Sequence, residues 1–174
     1  MTAQGTVVIG LGSPLMGDDG IGLRALERLR ETWALDGVEL VDGGTWGMSL
    51  LPAIEEASHV LLLDAIRANA IPGEVIKLER QALPRYLSAK LSPHQVDLRD
   101  VLAVAELRGT LPDELVALGI EPRRVSLGTE LSEECEESID LLVAAAVDRL
   151  MRWGHECAPR QQPDALPAMG TTFT

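Results

Sequence analysis

The run His59-Val-Leu-Leu-Leu-Asp64 restricts the fold more than any other segment. Four consecutive apolar residues are too few for a buried helix and lack polar alternation, so they read as a central strand covered on both faces. Thr6-Val-Val-Ile-Gly-Leu11 has the same character, being short, β-branched and closed by a glycine step. Val38–Val41, Gly73–Leu78 and Leu115–Ile120 supply further strand candidates. Helical spacing lies between them. Ile21, Ala25, Leu29 and Trp33 recur four apart, on one face of a helix expected to end near Gly37. Met48–Ala57 suggests a short helix, and Ser92–Leu107 and Ser132–Trp153 suggest longer ones, with Gly154 as the stop for the last. Strands alternating with helices predict an α/β fold. It has three layers, a mostly parallel twisted sheet of about five strands with helices on both faces.

A chain of 174 residues is sized for one core, and the periodic part places a single α/β domain at residues 1–154. From His155 the periodicity stops and Pro159, Pro163 and Pro167 follow, so residues 155–174 read as a flexible tail without structural role. With 15 Lys and Arg against 27 Asp and Glu, the formal net charge of −12 opposes nucleic-acid binding and attachment to an anionic membrane. No apolar run reaches the roughly 20 residues of a bilayer span, and the first residues do not read as a secretory signal. Cys135 and Cys157 form no CxxC pair, which fits a reduced, cytoplasmic protein with neither disulfide framework nor zinc knuckle. A monomer is the expected state.

The strand, Gly10-Leu-Gly12 and helix sequence invites a dinucleotide-binding reading, but that fingerprint needs glycine where Leu15 stands. Asp18 and Asp19 at the helix start also oppose a pyrophosphate, which seeks the positive end of a helix dipole. Helix capping accounts for one of the two aspartates and leaves the other for chemistry. Asp64 stands at the carboxyl end of its strand, where open α/β sheets bind ligands. Asp42 follows another strand, with Gly43 and Gly44 permitting a tight turn. Ser92-Pro93-His94-Gln95 is a full helix start, with an N-cap serine, a proline in first position and a capping-box glutamine. There the dipole favours a neutral His94 imidazole, the form that ligates metals. His59, opening a strand, and His155, opening the tail, are weaker candidates.

Asp19, Asp64 and His94 thus fall at the tops of three different βα units. Two carboxylates and an imidazole suit a divalent first-row metal and leave coordination positions open. Acid–base catalysis by the carboxylates without a resident metal is the competing chemistry. There is no GxSxG motif, and Cys135 sits in an acidic helix start that disfavours its thiolate.

Four segments carry a family resemblance: Gly10-Leu-Gly-Ser-Pro-Leu-Met-Gly-Asp-Asp-Gly-Ile-Gly22, Asp42-Gly-Gly-Thr-Trp-Gly47, Leu61-Leu-Leu-Asp-Ala-Ile66 and Ser92-Pro-His-Gln95. In order and spacing the chain resembles the maturation proteases of [NiFe] hydrogenases over about 150 residues, short of the tail. The resemblance implies an endopeptidase that removes a C-terminal extension from the nickel-loaded large-subunit precursor. It implies nickel contacts at Asp19, Asp64 and His94, with the nickel supplied by the precursor rather than permanently bound. It also implies that Asp42, Gly43, Gly44 and Thr45 lie against the substrate chain. Ser13 stands where the family usually has Asn. A non-hydrolytic nickel-sensing adaptor using the same site is the alternative, and a nucleotide- or small-acid-binding domain is a third reading.

Overall fold

The computed structural model describes residues 5–44, 47–84 and 93–161, and the side chains of these except 93–97. In chain order the elements are β1 (Thr6–Leu11), a 3-10 turn (Gly17–Gly20), α1 (Ile21–Thr32), β2 (Trp33–Leu35) and β3 (Val38–Gly44). A second 3-10 turn (Gly47–Leu50), α2 (Leu51–Glu56), β4 (His59–Ala65), β5 (Val75–Glu79) and a third turn (Arg80–Ala82) follow. The chain continues with α3 (Pro93–Leu107), β6 (Glu114–Ile120), α4 (Glu133–Arg152) and β7 (Cys157–Pro159).

The main sheet has five strands in the order β3-β1-β4-β6-β5. All are parallel except the edge strand β5, which runs against β6. The central strands have no solvated face, which is why they read as unbroken apolar runs. Val8, Leu61, Leu63, Val116 and Leu118 pack beneath α1 and α4. Val7, Ile9, Val60, Leu62 and Leu115 pack on the other face, with Ile54 of α2 and Leu98, Val101 and Ala105 of α3. This is the expected three-layer α/β architecture. Among the described residues no helix is long and apolar enough to cross a membrane.

The path from β1 through α1 leads to β3 on one side, and the following connections step back across β1 to β4 and then β6. The order of winding therefore reverses between β1 and β4. α1 lies on one face there, and α2 and α3 on the other, so the carboxyl ends of β1 and β4 form the switch point at which open α/β sheets place their ligand crevice.

Two expectations change. The first helix ends at Thr32, because Trp33 turns extended (φ −128°, ψ 139°) and starts β2. Its apolar side chain still packs on the core, so the four-residue spacing runs one step past the helix. The partner of β2 is β7, paired antiparallel from Trp33↔Pro159 to Leu35↔Cys157. The domain therefore extends past 154, and the first residues assigned to the tail are structural. His155 Nδ1 donates to the Asp36 carbonyl at 2.9 Å, while its Nε2 meets the Thr6 hydroxyl at 2.7 Å. Arg160 Nε donates to the carbonyls of Arg30 and Trp33, satisfying the end of α1. Residues 162–174 lie outside the described residues.

Candidate active site

The glycines of the first loop serve close packing. A Cβ on Gly22 would stand 2.1 Å from the Leu63 carbonyl oxygen and 2.5 Å from that of Leu11, so the start of α1 is seated directly on the ends of β4 and β1. Gly12 adopts φ +108°, and a Cβ there would lie 1.9 Å from the Asp19 carbonyl oxygen. Only glycine permits this loop to fold back on itself.

That folding divides the work of the paired aspartates. Asp18 has no solvent exposure. Its Oδ2 accepts from the backbone N–H groups of Arg123 and Arg124, both at 2.9 Å, and from the Ser132 hydroxyl at 2.9 Å. Its Oδ1 accepts from the Ser132 N–H at 2.7 Å. Burial pushes its pKa upward, but the donors of Arg124, Ser132 and Arg123 outweigh that and hold it below the ordinary carboxylate value. Asp18 caps nothing on its own helix. Its partner Ser132 is the N-cap residue of α4, more than a hundred residues away.

Asp19 is 5% exposed, and its Oδ2 accepts from the Ser13 N–H at 2.9 Å. The Ser13 hydroxyl in turn accepts from Leu15 N–H at 3.3 Å, so Ser13 supports the loop with its own short side chain. Asp64 is 3% exposed and accepts from the Ala65 N–H at 2.8 Å. In β4 it alternates with Val60 and Leu62, so it shares their face, the one α2 and α3 cover. The two carboxylates flank the β1/β4 crevice, Asp19 from the loop after β1 and Asp64 from the end of β4.

α3 brings its first turn to the same end of the sheet. Its end lies near the C-terminus of α2, where Arg108 and Thr110, just past the helix, both contact Glu55, at 2.8 Å each. Fifteen helical residues span about 22 Å, so the turn beginning at Pro93 stands at the opposite end, where α3 packs on the turn Gly47–Leu50. His94 belongs to that first turn, as its proline-led sequence predicts, although its imidazole lies outside the described side chains. Ser92 and Thr45 also lie outside the described residues.

The Asp42 segment differs from expectation. In place of a turn after Val41, β3 continues through Gly44, with Gly10 paired to Asp42 and Leu11 to Gly44. Gly43 is the extra residue of this bulge, and a Cβ on it would lie 2.6 Å from Ile9 Cγ2. Asp42 is exposed and alternates with Val38 and Leu40, which pack toward α1, so it stands on the opposite face from Asp64. The Gly44 carbonyl accepts from Gly12 N–H at 3.1 Å, joining the end of β3 to the loop that carries Asp19.

The family model of the hydrogenase maturation proteases matches residues 23–149. The chain is 37% identical over 153 residues to the hydrogenase expression/formation protein HupD of Rhodobacter capsulatus, covering 86% of this chain and 73% of that protein. It is 34% identical over 158 residues to the hydrogenase 2 maturation protease of Escherichia coli, covering 89% and 96%. It superposes on the hydrogenase maturating endopeptidase HybD from E. coli with a TM-score of 0.86, at 33% identity, covering 90% of this chain and 98% of that one. The chain belongs to the hydrogenase maturation protease family. It is accordingly an endopeptidase, and its crevice is the place to look for the machinery of this maturation protease.

Two structural devices of this maturation protease escaped the sequence reading. One is the reach of Asp18 into the β6–α4 loop. The other is Glu121, which follows β6 and is 6% exposed. Glu121 Oε2 accepts from the N–H groups of Ala68, at 2.6 Å, and Ala70, at 3.3 Å, and so shapes the loop after β4. Both are acidic residues in loops, and no local pattern separates them from solvated carboxylates. Among the described residues no three His, Cys, Asp or Glu side chains form a metal-holding group, and the His94 imidazole is not among those described.

Proposed function

We propose that this maturation protease removes the C-terminal extension of a [NiFe] hydrogenase large-subunit precursor in the cytoplasm, reading nickel held in that precursor. The observation that carries the reading is the pair of nearly buried carboxylates, Asp19 and Asp64, on either side of the β1/β4 crevice at the end of the sheet where α3 begins. With His94, they offer two oxygen ligands and one nitrogen ligand. Such a set is incomplete alone and becomes complete when the precursor contributes its own ligands around its metal. Recognition of a loaded precursor and opening of the site to cleavage are then one event.

In this reading, the nickel of the substrate polarises the scissile carbonyl or the attacking water. Asp19 or Asp64 accepts the proton that water gives up. The Ser13 N–H on Asp19 and the Ala65 N–H on Asp64 each occupy one carboxylate oxygen and fix its direction. Asp42, Gly43, Gly44 and Thr45 are assigned to the approaching chain. The bulge at Gly43 and the Gly44–Gly12 hydrogen bond make the end of β3 a wall next to the Asp19 loop.

The test is intact-mass analysis of a hydrogenase large-subunit precursor from the same genome, nickel-loaded and nickel-free, before and after incubation with the protein. Loss of one defined C-terminal peptide from the loaded form alone is the expected result. Asp19→Asn and His94→Ala should abolish it while leaving the circular dichroism spectrum and melting near normal. Equal cleavage of nickel-free precursor would remove the metal-reading role, and undiminished cleavage by both variants would overturn the site assignment.

A further inference from the structure

The largest exposed apolar side chains are unevenly placed. Eight are exposed among the described residues. Leu107, Leu141 and Met151 lie on helices, whereas Leu15, Met48, Ile71, Val125 and Leu127 follow the carboxyl ends of parallel strands. Five of the eight therefore lie at the end of the sheet that carries Asp19 and Asp64.

Leu15 and Leu127 are the best defined of these. They are 59% and 86% exposed, yet the backbone that carries them is tied down on both sides. Gly17 N–H donates to the Gly128 carbonyl at 2.8 Å, and Gly128 N–H donates to the Leu15 carbonyl at 2.9 Å. Met16 and Gly128 form a parallel bridge, which sets the preceding residues, Leu15 and Leu127, side by side. Asp18 N–H donates to the Arg124 carbonyl at 3.0 Å, and the buried Asp18 carboxylate holds the loop from Arg123 to Ser132. Here a buried carboxylate and a two-way backbone ladder hold both out into water, Leu15 four residues from Asp19 in the same loop and Leu127 beside it.

We propose that Leu15, Val125 and Leu127 form a preorganised apolar wall that docks the extended segment of the precursor flanking its scissile bond, through apolar side chains of that segment. This rests on the function proposed above and adds the substrate chemistry of one wall of that site. Three side chains of this size bury about 300 Å² at most, well below the roughly 800 Å² per partner of a stable interface. The wall therefore suits a chain that enters and leaves, rather than a second copy of this protein. Holding the wall rigid before docking removes the ordering cost that a mobile loop would impose.

The test uses the full chain and the nickel-loaded precursor, with Leu15→Ser, Leu127→Ser and, as a control away from the crevice, Leu107→Ser. Loss of one docked leucine corresponds to about tenfold in affinity. The two wall variants should raise KM about tenfold with kcat changed less than about twofold, and Leu107→Ser should match the unaltered protein. Unchanged KM in both wall variants, while the unaltered protein cleaves, would overturn the wall alone. Absence of cleavage by the unaltered protein would overturn the functional reading beneath it. Concentration-dependent self-association that Leu127→Ser abolishes would assign the wall to a dimer and equally overturn the proposal.

Discussion

Replacing Asp18 by Asn tests the central structural claim, that this residue is a buried clamp and not a surface cap. Four donors converge on its carboxylate, three backbone N–H groups and one hydroxyl, and the residue itself is fully buried. Hydrogen bonds to an ionised acceptor contribute about 1.5–3 kcal/mol each, against about 0.5–1.5 for neutral ones. Asparagine keeps a single oxygen. Whichever way its amide turns, its NH2 faces at least one backbone donor, and a buried donor left unsatisfied costs about 1–3 kcal/mol. Taken together the loss is about 4 kcal/mol, and for a chain of this size that lowers Tm by about 10 °C. The pH dependence carries a definite sign. A carboxyl whose folded pKa lies below its unfolded value of 3.8 contributes stability present above that value, and this is lost as pH falls through the folded pKa. The gap between the unaltered protein and Asp18→Asn should therefore be widest at neutral pH and close below about pH 4. Thermal melts by circular dichroism at pH 7, and at the lowest pH where both proteins remain folded, measure it. A Tm within about 2 °C of the unaltered protein at pH 7, or a gap that widens in acid, would refute the clamp.

Two further outcomes follow from the same geometry. Gly22→Ala should prevent soluble folding or cost about 3 kcal/mol or more, because its Cβ would lie 2.1 Å from a strand carbonyl that cannot move without breaking the β4 end; chemical denaturation of any soluble material measures this. Burial lowers the pKa of His59, the nearby Glu114 raises it and His155 lowers it again, with a net downward shift. The unfolded chain then takes up this proton first, so stability falls as pH drops below about 6.5, and a His59→Gln protein should lose less stability between pH 7.5 and 5.5.

The strands and the layer order were legible because each reports a local property of the chain. A run such as His59–Asp64 has no polar face, so it demands cover on both sides wherever it lies. The helix starts were equally local, that at Ile21 marked by periodicity and those at Pro93 and Glu133 also by a proline or serine at the boundary. Asp19, Asp64 and the His94 turn could be placed at one end of the sheet for the same reason, since the ends of parallel strands and the starts of their helices fall together.

What only the tertiary structure decided depends on partners distant in the chain. Trp33 continues a helical spacing, yet it becomes a strand because Pro159 pairs with it across more than a hundred residues. The same pairing draws His155 and Arg160 into the domain, where proline content alone suggested a free tail. Nothing in the dipeptide Asp18-Asp19 says which member is structural. The choice is made by Arg123, Arg124 and Ser132, whose N–H groups need an acceptor and find Asp18. The sequence by itself therefore determined the layers, the central strands and the kinds of group at the site. The division of labour among its carboxylates, and the wall beside them, came from hydrogen-bond donors and strand edges satisfied by residues far away along the chain.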